Sequence, residues 1–148
     1  MIERTEGPNQ LALRTEAQDI MWRHVGVVRN GEGLEKAVAR LASLRGQAEG
    51  ICVRCKVAQA NRELVEAIET RNLLVMAESM AKAALAREET RGSHYRRDCA
   101  NEDDPRWLVN SIVTLADSEI ALRHEPVDFC YLSPEGAETP PADAREAL

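Results

Sequence analysis

Apolar residues recur at helical spacing along the first part of the chain. One stripe has steps of three, four and seven residues and comprises Leu13, Ala17, Ile20, Met21, His24 and Val28. Charged side chains occupy the other side of the same stretch. The pattern stops at Asn30-Gly31, because both residues tolerate a positive φ. The sequence therefore predicts a first helix that ends at this pair.

Two further helices follow. The second has apolar residues one helical turn apart, at Leu34, Val38, Leu41, Leu44 and Ala48. Gly46 and Gly50 weaken this pattern, so we predict a short helix over residues 34–45. The third is the longest, since no Gly or Pro interrupts the chain between Asn61 and Thr90 and Gly92 supplies the stop.

The third predicted helix has a marked amino end and an unusually apolar middle. Asn61 is a suitable N-cap, and Glu63 places negative charge in the first turn, where the helix dipole favours it. Residues 73–86 are apolar around most of the helix circumference. Such a helix packs on more than one side. Two short partner helices would leave part of it uncovered, which suggests a missing neighbour.

Strand periodicity appears in three places. Apolar and polar residues alternate over residues 51–57, which predicts a strand between the second and third helices. Weaker alternation over residues 112–115 and 120–123, with a turn at 116–119, predicts a hairpin. From Ser133 onward, prolines and acidic residues are typical of a loose tail.

These elements predict an all-α fold. We expect an antiparallel three-helix bundle of the spectrin-repeat-like kind, with a small C-terminal β-hairpin and a loose acidic tail. The expected boundaries are a flexible N-terminus at residues 1–10, the bundle at 11–98, the hairpin extension at 99–132 and a disordered tail at 133–148.

Composition excludes several classes of function. The net charge of −6 has the wrong sign for a general nucleic-acid binder, and 3% aromatic residues cannot build a base-stacking platform. No apolar run approaches the ~18 residues of a membrane span, and residues 1–30 contain no signal-peptide core. Four scattered cysteines suit a reducing compartment, so we expect a cytoplasmic chain that does not insert into the membrane directly.

Metal-binding and catalytic signals are weak. Cys52 and Cys55 form a C-x-x-C pair, but strand alternation would direct them to opposite faces, while Cys99 and Cys130 stand alone. We expect His24 to be a core-edge residue with one hydrogen-bonded nitrogen, and His124 to lie on the surface. The sequence contains neither a G-x-G-x-x-G nor a Walker A loop. We predict no catalytic, metal or cofactor-binding residues in this chain.

The most unusual stretch is residues 87–98. It concentrates Arg87, Arg91, His94 and Arg96 where the long helix is predicted to end, and a regular helix would place Arg87 and Arg91 on one face. The cluster could be a solvated helix terminus that complements the dipole. It could equally be a set of forked donors that bind carboxylates or carbonyls of a docked partner.

The same stretch carries a family resemblance. Residues 83–96, preceded by Glu69, Asn72, Leu73, Ala77 and Glu78, resemble the A-x-x-R-x-E-S-R-G-x-H-x-R-x-D hallmark of the succinate dehydrogenase/fumarate reductase flavoprotein family, which includes L-aspartate oxidase. Residues 103–107 match the acidic D-D-x-x-W stretch that follows it. The resemblance is to the C-terminal domain of that family, and it runs over residues 11–127. Three departures are Thr90 for the family serine, Cys99 for an aromatic residue, and residues 108–110 for a Lys-His pair.

The resemblance implies a fold and a context. In this family a three-helix C-terminal domain packs on an FAD-binding domain, and a capping domain supplies further substrate-binding residues. Both precede this region, so the chain would be the last part of a flavoprotein subunit or a separately encoded piece. The stretch after Trp107 resembles the succinate and fumarate enzymes more than L-aspartate oxidase, which is the nearest alternative. A free-standing helical interaction module is the alternative of a different class.

Further expectations follow from the resemblance. The parent activity would be FAD-dependent oxidation of succinate or reduction of fumarate, and this chain alone would be inactive. Its partners would be the flavin domain or subunit and an iron–sulfur subunit, which would place it peripherally at the inner membrane through the complex. The resemblance favours an interface role for Arg87, Arg91, His94 and Arg96.

Overall fold

The computed structural model describes residues 1–129 of the chain. Close to half of these residues are helical, and the rest includes one small antiparallel sheet and one short parallel pair. The elements of this part of the chain are α1 (Gln10–His24), β1 (Val28–Arg29), α2 (Gly31–Ala48), α3 (Arg62–Ala86), β2 (Tyr95–Arg96), α4 (Asp104–Trp107), β3 (Val109–Ala116) and β4 (Glu119–Pro126). The prediction of a mostly helical domain with a small C-terminal hairpin is confirmed. The predicted acidic tail and Cys130 lie outside the described residues.

Asparagine caps decide where the first two helices begin. Asn9 Oδ1 accepts hydrogen bonds from the Leu11 and Ala12 N–H groups at 2.8 and 3.3 Å, which starts α1. Asn30 Oδ1 accepts from the Gly33 N–H at 2.7 Å, so Asn30 is the cap of α2. The prediction that Asn30-Gly31 ends the first helix is therefore wrong, because α1 already ends at His24.

The second helix is longer than its sequence pattern predicts. It continues past Gly46 to Ala48, whereas we expected it to end near residue 45. Gly46 is exposed and a side chain there would meet nothing, so it costs only helix propensity. Ala48 is buried and keeps the final turn against the core.

The third helix begins as predicted and ends earlier. Asn61 caps it by accepting from the Leu64 N–H at 3.0 Å, while its side-chain amide donates to the Val57 carbonyl at 2.8 Å. The helix stops at Ala86, and Arg87 is already extended. Arg87 and Arg91 therefore do not share a helical face, contrary to the prediction.

The core lies where the three long helices meet. Each of α1, α2 and α3 contacts the other two. The fully buried side chains of this core are Ala17, Leu34, Ala37, Leu41, Leu44, Ile51, Val53, Ala67, Leu74 and Ala81. Burying a large aliphatic side chain contributes roughly 1.5–3 kcal/mol, so this leucine-rich centre is the main stabilising feature of the helical part.

The predicted strand over residues 51–57 is wrong. Ile51 and Val53 are buried, but the residues that follow are exposed and pair with no neighbouring strand. Glu63 Oε2 instead accepts hydrogen bonds from the N–H groups of Arg54 and Cys55 at 2.8 and 3.0 Å. A side chain at the amino end of α3 thus satisfies backbone groups that a strand would have used.

The hairpin pairs β3 with β4 over their whole lengths. Asp117 and Ser118 form its two-residue turn, and both have positive φ, at 50° and 67°. This is the I′ geometry that suits the twist of antiparallel strands.

A second pairing was not predicted: β1 and β2 form a short parallel pair that joins the α1–α2 connection to the segment after α3. No helix among residues 1–129 is long and apolar enough to cross a membrane.

Candidate functional site

The segment between α3 and β3 brings the predicted arginine cluster together. Arg87, Arg91, His94 and Arg96 all lie in this segment, which we call the arginine loop (residues 87–108). All four side chains bond acidic or backbone groups of the loop itself. Glu89, the central member, is not among the candidate site residues taken from the sequence, although its place between two arginines was a usable signal.

Glu89 is the buried centre of the arginine loop. It is fully buried, and its carboxylate accepts from Arg91 Nε and Nη2 at 2.9 and 3.0 Å. The Asp103 N–H donates to it at 3.0 Å, and Arg87 donates a further short bond. Burial alone would raise the pKa of Glu89, but these hydrogen bonds outweigh burial, so its pKa lies below the usual value.

Arg87 connects this centre to the hairpin. Besides Glu89, it donates to the carbonyls of Trp107 and Val109 at 2.9 and 2.6 Å. Its guanidinium lies 5.3 Å from the centre of the Trp107 ring, within range of a cation–π contact. Arg87 thereby fixes α4 and the first residue of β3 against the end of α3.

Trp107 also changes the prediction made for His124. The two rings meet edge to face with centroids 5.2 Å apart, and Trp107 is 2% exposed. His124 is half-buried rather than a free surface residue, because β4 returns over the indole. Its pKa is lowered by burial and by the charge of Arg87.

Arg91 bridges the buried centre and the surface. It binds Glu89 with two nitrogens and also donates to Asp104 at the start of α4. The hydrogen bond to Glu89, followed by the one to Asp104, raises the pKa of Arg91, so the guanidinium stays charged. Gly92 follows with φ of 55°, which allows the tight turn that pairs Arg91 with His94.

Arg96 terminates the third helix. Its side chain is 4% exposed, and Nη1 lies 3.1 Å from each of the carbonyl oxygens of Ala84, Leu85 and Arg87. The carbonyls of Ala84 and Leu85 lie in the last turn of α3, where a helix supplies no partner of its own. The other side of the same guanidinium binds Asp98 through Nε and Nη2, at 2.9 and 2.7 Å.

His94 is held as a neutral imidazole. Its Nδ1 lies 2.6 Å from Arg29 Nη1, and its Nε2 lies 3.2 Å from the Arg87 carbonyl oxygen. Arginine only donates and a carbonyl only accepts, so Nδ1 is the acceptor and Nε2 carries the proton. Burial lowers the pKa of His94, and the charges of Arg29, Arg96 and Arg87 lower it further.

Thr90, which stands where the family motif has serine, bonds backbone groups of the arginine loop through its hydroxyl. Its hydroxyl accepts from the Arg96 N–H at 2.9 Å and donates to the Cys99 carbonyl at 2.8 Å. Both bonds need only a hydroxyl, which threonine retains. The departure at this position therefore leaves the loop's hydrogen bonding intact.

Two exposed surfaces lie beside the loop. The first is a basic pocket of about 190 Å³, lined by residues that include Arg23, His24, Arg29 and Arg97. Within residues 1–129 the Arg97 side chain and the His24 ring have no hydrogen-bond partner, so the bond predicted for His24 is absent there. The second, which we call the α1–α3 groove, is an open apolar groove of about 410 Å³ lined mainly by Met21, Trp22, Leu73, Met76, Ala77 and Met80.

The metal-ligating side chains of the described residues are scattered. Residues 1–129 include no group of three or more metal-ligating side chains. The Cys52 thiol donates to the Arg4 carbonyl at 2.9 Å, and Cys55 is exposed. The arginine loop is rich in charge, but its groups bind one another and the ends of two helices. The loop therefore presents a charged surface whose shape is fixed by its own hydrogen bonds.

Comparisons with known proteins identify the motif that this loop carries. The chain matches the family described as "Fumarate reductase flavoprotein C-term" over residues 14–144. It is 36% identical over 107 residues to the fumarate reductase flavoprotein subunit of Helicobacter pylori, covering 72% of this chain and 15% of that protein. It is 33% identical over 131 residues to the succinate dehydrogenase flavoprotein subunit of Rickettsia bellii, covering 88% and 22%.

A solved structure agrees with these matches. The fold is similar to a chain of the quinol fumarate reductase of E. coli with a TM-score of 0.83 and 28% identity, covering 90% of this chain and 23% of that one. The chain thus spans between about a seventh and a quarter of the length of the proteins it matches.

Proposed function

The chain belongs to the C-terminal domain family of the fumarate reductase and succinate dehydrogenase flavoproteins, and from this premise we propose that it serves an FAD-dependent enzyme that oxidises succinate or reduces fumarate. The match over residues 14–144 carries this proposal. The family uses FAD as its hydride-transferring cofactor. We propose that α1, α2 and α3 form its antiparallel, spectrin-repeat-like bundle and that the bundle packs on the flavin domain.

Neither the basic pocket nor the α1–α3 groove fits a flavin. The basic pocket, at about 190 Å³, is smaller than the ~300 Å³ at which sites for small organic ligands begin. The α1–α3 groove is larger, but it presents almost no polar group to hold a pyrophosphate. We therefore propose that this chain alone binds no flavin and turns over neither succinate nor fumarate.

The arginine loop has a proposed role in the interface. Arg87, Arg91 and Arg96 bind groups within the loop, and His94 links it to Arg29. We propose that this network holds the loop in one shape against the flavin domain or an iron–sulfur subunit. In that assembly, which we place in the cytoplasm at the inner membrane, direct contacts would come from side chains that the network leaves free.

Purification of the flavoprotein that contains this chain tests the proposal. An affinity tag on the chain in its own organism should recover FAD in about equal molar amount, with succinate-dependent reduction of a dye. The 148-residue chain purified alone should carry no flavin and show no turnover. Recovery of the tagged chain in a stable complex without flavin would contradict the proposal and favour a free-standing interaction module.

A further inference from the structure

We propose that the α1–α3 groove is the surface that receives the flavin-bearing part of the protein, through a helix with apolar residues one turn apart and acidic residues near Arg23 and Arg97. This inference rests on the proposed function. It adds which surface of the domain meets the flavin-bearing part and what kind of segment binds there.

Exposure of large apolar side chains marks the groove. Trp22 is 85% exposed, Met76 61% and Met80 52%. Tryptophan is the side chain most enriched at the energetic centres of interfaces, and methionine adapts its shape to a partner. These three residues converge from two helices on one opening. A contiguous apolar opening of this kind is typical of an interaction surface.

The shape of the groove suits a helix. On α3 the lining residues Leu73, Met76, Ala77 and Met80 follow the i, i+3, i+4, i+7 spacing of one helical face. On α1 the opposite wall is formed by residues one turn apart that end at Trp22. Ala77 is small and forms the floor between the larger side chains. Two walls of larger side chains with a small residue between them form a surface into which a third helix can pack.

Positive charge at one end of the groove would orient the bound helix. Arg23 lies next to Trp22 in α1 and lines the basic pocket, where Arg97 has no side-chain partner among the described residues. Asp19 binds Arg23 at 2.8 Å and so balances one of these charges. Positive charge is therefore left over at this end of the groove, although the chain as a whole has a net charge of −6. An acidic segment of the partner would complement it.

The relatives indicate which partner occupies the groove. In the two flavoprotein subunits the matched region makes up 15% and 22% of the protein, so most of such a protein lies outside this chain. That larger part must meet this domain over a surface that the isolated domain leaves open. The α1–α3 groove is such an open surface, because its large apolar side chains are exposed.

Hydroxyl-radical footprinting compares the isolated chain with the purified, flavin-containing assembly. Trp22, Met76 and Met80 report on the groove by their oxidation, which mass spectrometry assigns to single residues. Leu11 and Val65, which are 66% and 53% exposed on the same two helices but do not line the groove, are matched controls. We expect oxidation of the three groove residues to fall severalfold on assembly while the two controls stay unchanged.

A pair of lysine variants adds a functional readout. Met80→Lys should weaken assembly by roughly tenfold or more, whereas Val65→Lys should leave it unchanged. Both side chains are more than half exposed, so the isolated chain should melt as wild type in each case.

The outcomes separate the two proposals. If the assembly carries flavin and the groove residues stay as reactive as in isolation, the groove inference is wrong and the proposed function stands. If the groove residues are already protected in the isolated chain because two copies associate there, the groove binds a second copy of the chain and the inference also fails. If no flavin accompanies the assembled protein, the proposed function fails and the inference fails with it.

Discussion

Arg96 and Asp98 join the carboxyl end of α3 to the amino end of α2. The Arg96 guanidinium binds the last carbonyls of α3, while Asp98 accepts from the Gly31 N–H at 2.8 Å, and the two side chains bind each other twice. Each charge complements the dipole of the helix end that it faces. The hydrogen bond to Arg96, followed by the bond from the Gly31 N–H, lowers the pKa of Asp98.

Removal of Arg96 should destabilise the chain strongly. We expect Arg96→Ala to lower the free energy of unfolding by about 3 kcal/mol, because it removes a donor from the carbonyls of Ala84, Leu85 and Arg87 and two hydrogen bonds from the buried side of the Asp98 ion pair. Arg97→Ala is the matched control, since that exposed neighbour has no side-chain bond within residues 1–129 and should change stability by less than about 0.5 kcal/mol. Urea unfolding of the isolated chain measures both. Equal effects would show that Arg96 does not join the helices.

Neutralising the buried carboxylate should have a similar effect. Glu89→Gln keeps the shape but removes the charge that faces Arg87 and Arg91, so we expect a loss of about 3 kcal/mol. Glu88→Gln serves as control, because Glu88 is exposed and, within residues 1–129, its side chain bonds only Arg106, at 3.3 Å. A thermal melt of each variant provides the comparison. A wild-type melt of Glu89→Gln would contradict the network described here.

Acidification should weaken the fold through His94. An unfolded histidine has a pKa of about 6.5, and burial lowers the pKa of His94 in the folded chain. The unfolded state then binds more protons, so this contribution is complete above about pH 6.5 and is lost as pH falls toward the folded pKa. We expect wild type to lose more stability than His94→Gln between about pH 7 and 5. Parallel pH profiles of the two proteins would refute this.

The role of Arg91 requires measurements in two states. In the isolated chain we expect Arg91→Ala to cost about 2 kcal/mol, because Glu89 loses two of its hydrogen bonds. If Arg91 also acts at the interface, Arg91→Ala should weaken docking in addition to lowering stability. The domain should then be released from the assembled flavoprotein at temperatures where the isolated variant stays folded. If docking is unchanged under those conditions, the cluster acts only within the loop.

The sequence by itself determined the helical content, the start of the third helix and the hairpin. These follow from local chemistry, since Asn61 satisfies backbone groups only three residues away and the apolar periodicity selects helix or strand directly. The apolar excess in residues 73–86 also predicted an open face, and Met76 and Met80 are exposed there. The motif in residues 83–96 was sufficient to identify the family.

Tertiary structure decided the end of α3, the connection over residues 51–57 and the tautomer of His94. In each case the deciding partner is distant from the local pattern: Arg96 binds helix carbonyls 11 and 12 residues earlier, and Arg29 reaches His94 across 65 residues. A charged residue in a sequence does not reveal whether it will meet solvent or a buried carboxylate. Glu89 and its two arginines are close in the sequence, but only the packed chain buries the carboxylate between them, and burial makes each of these charges depend on the others.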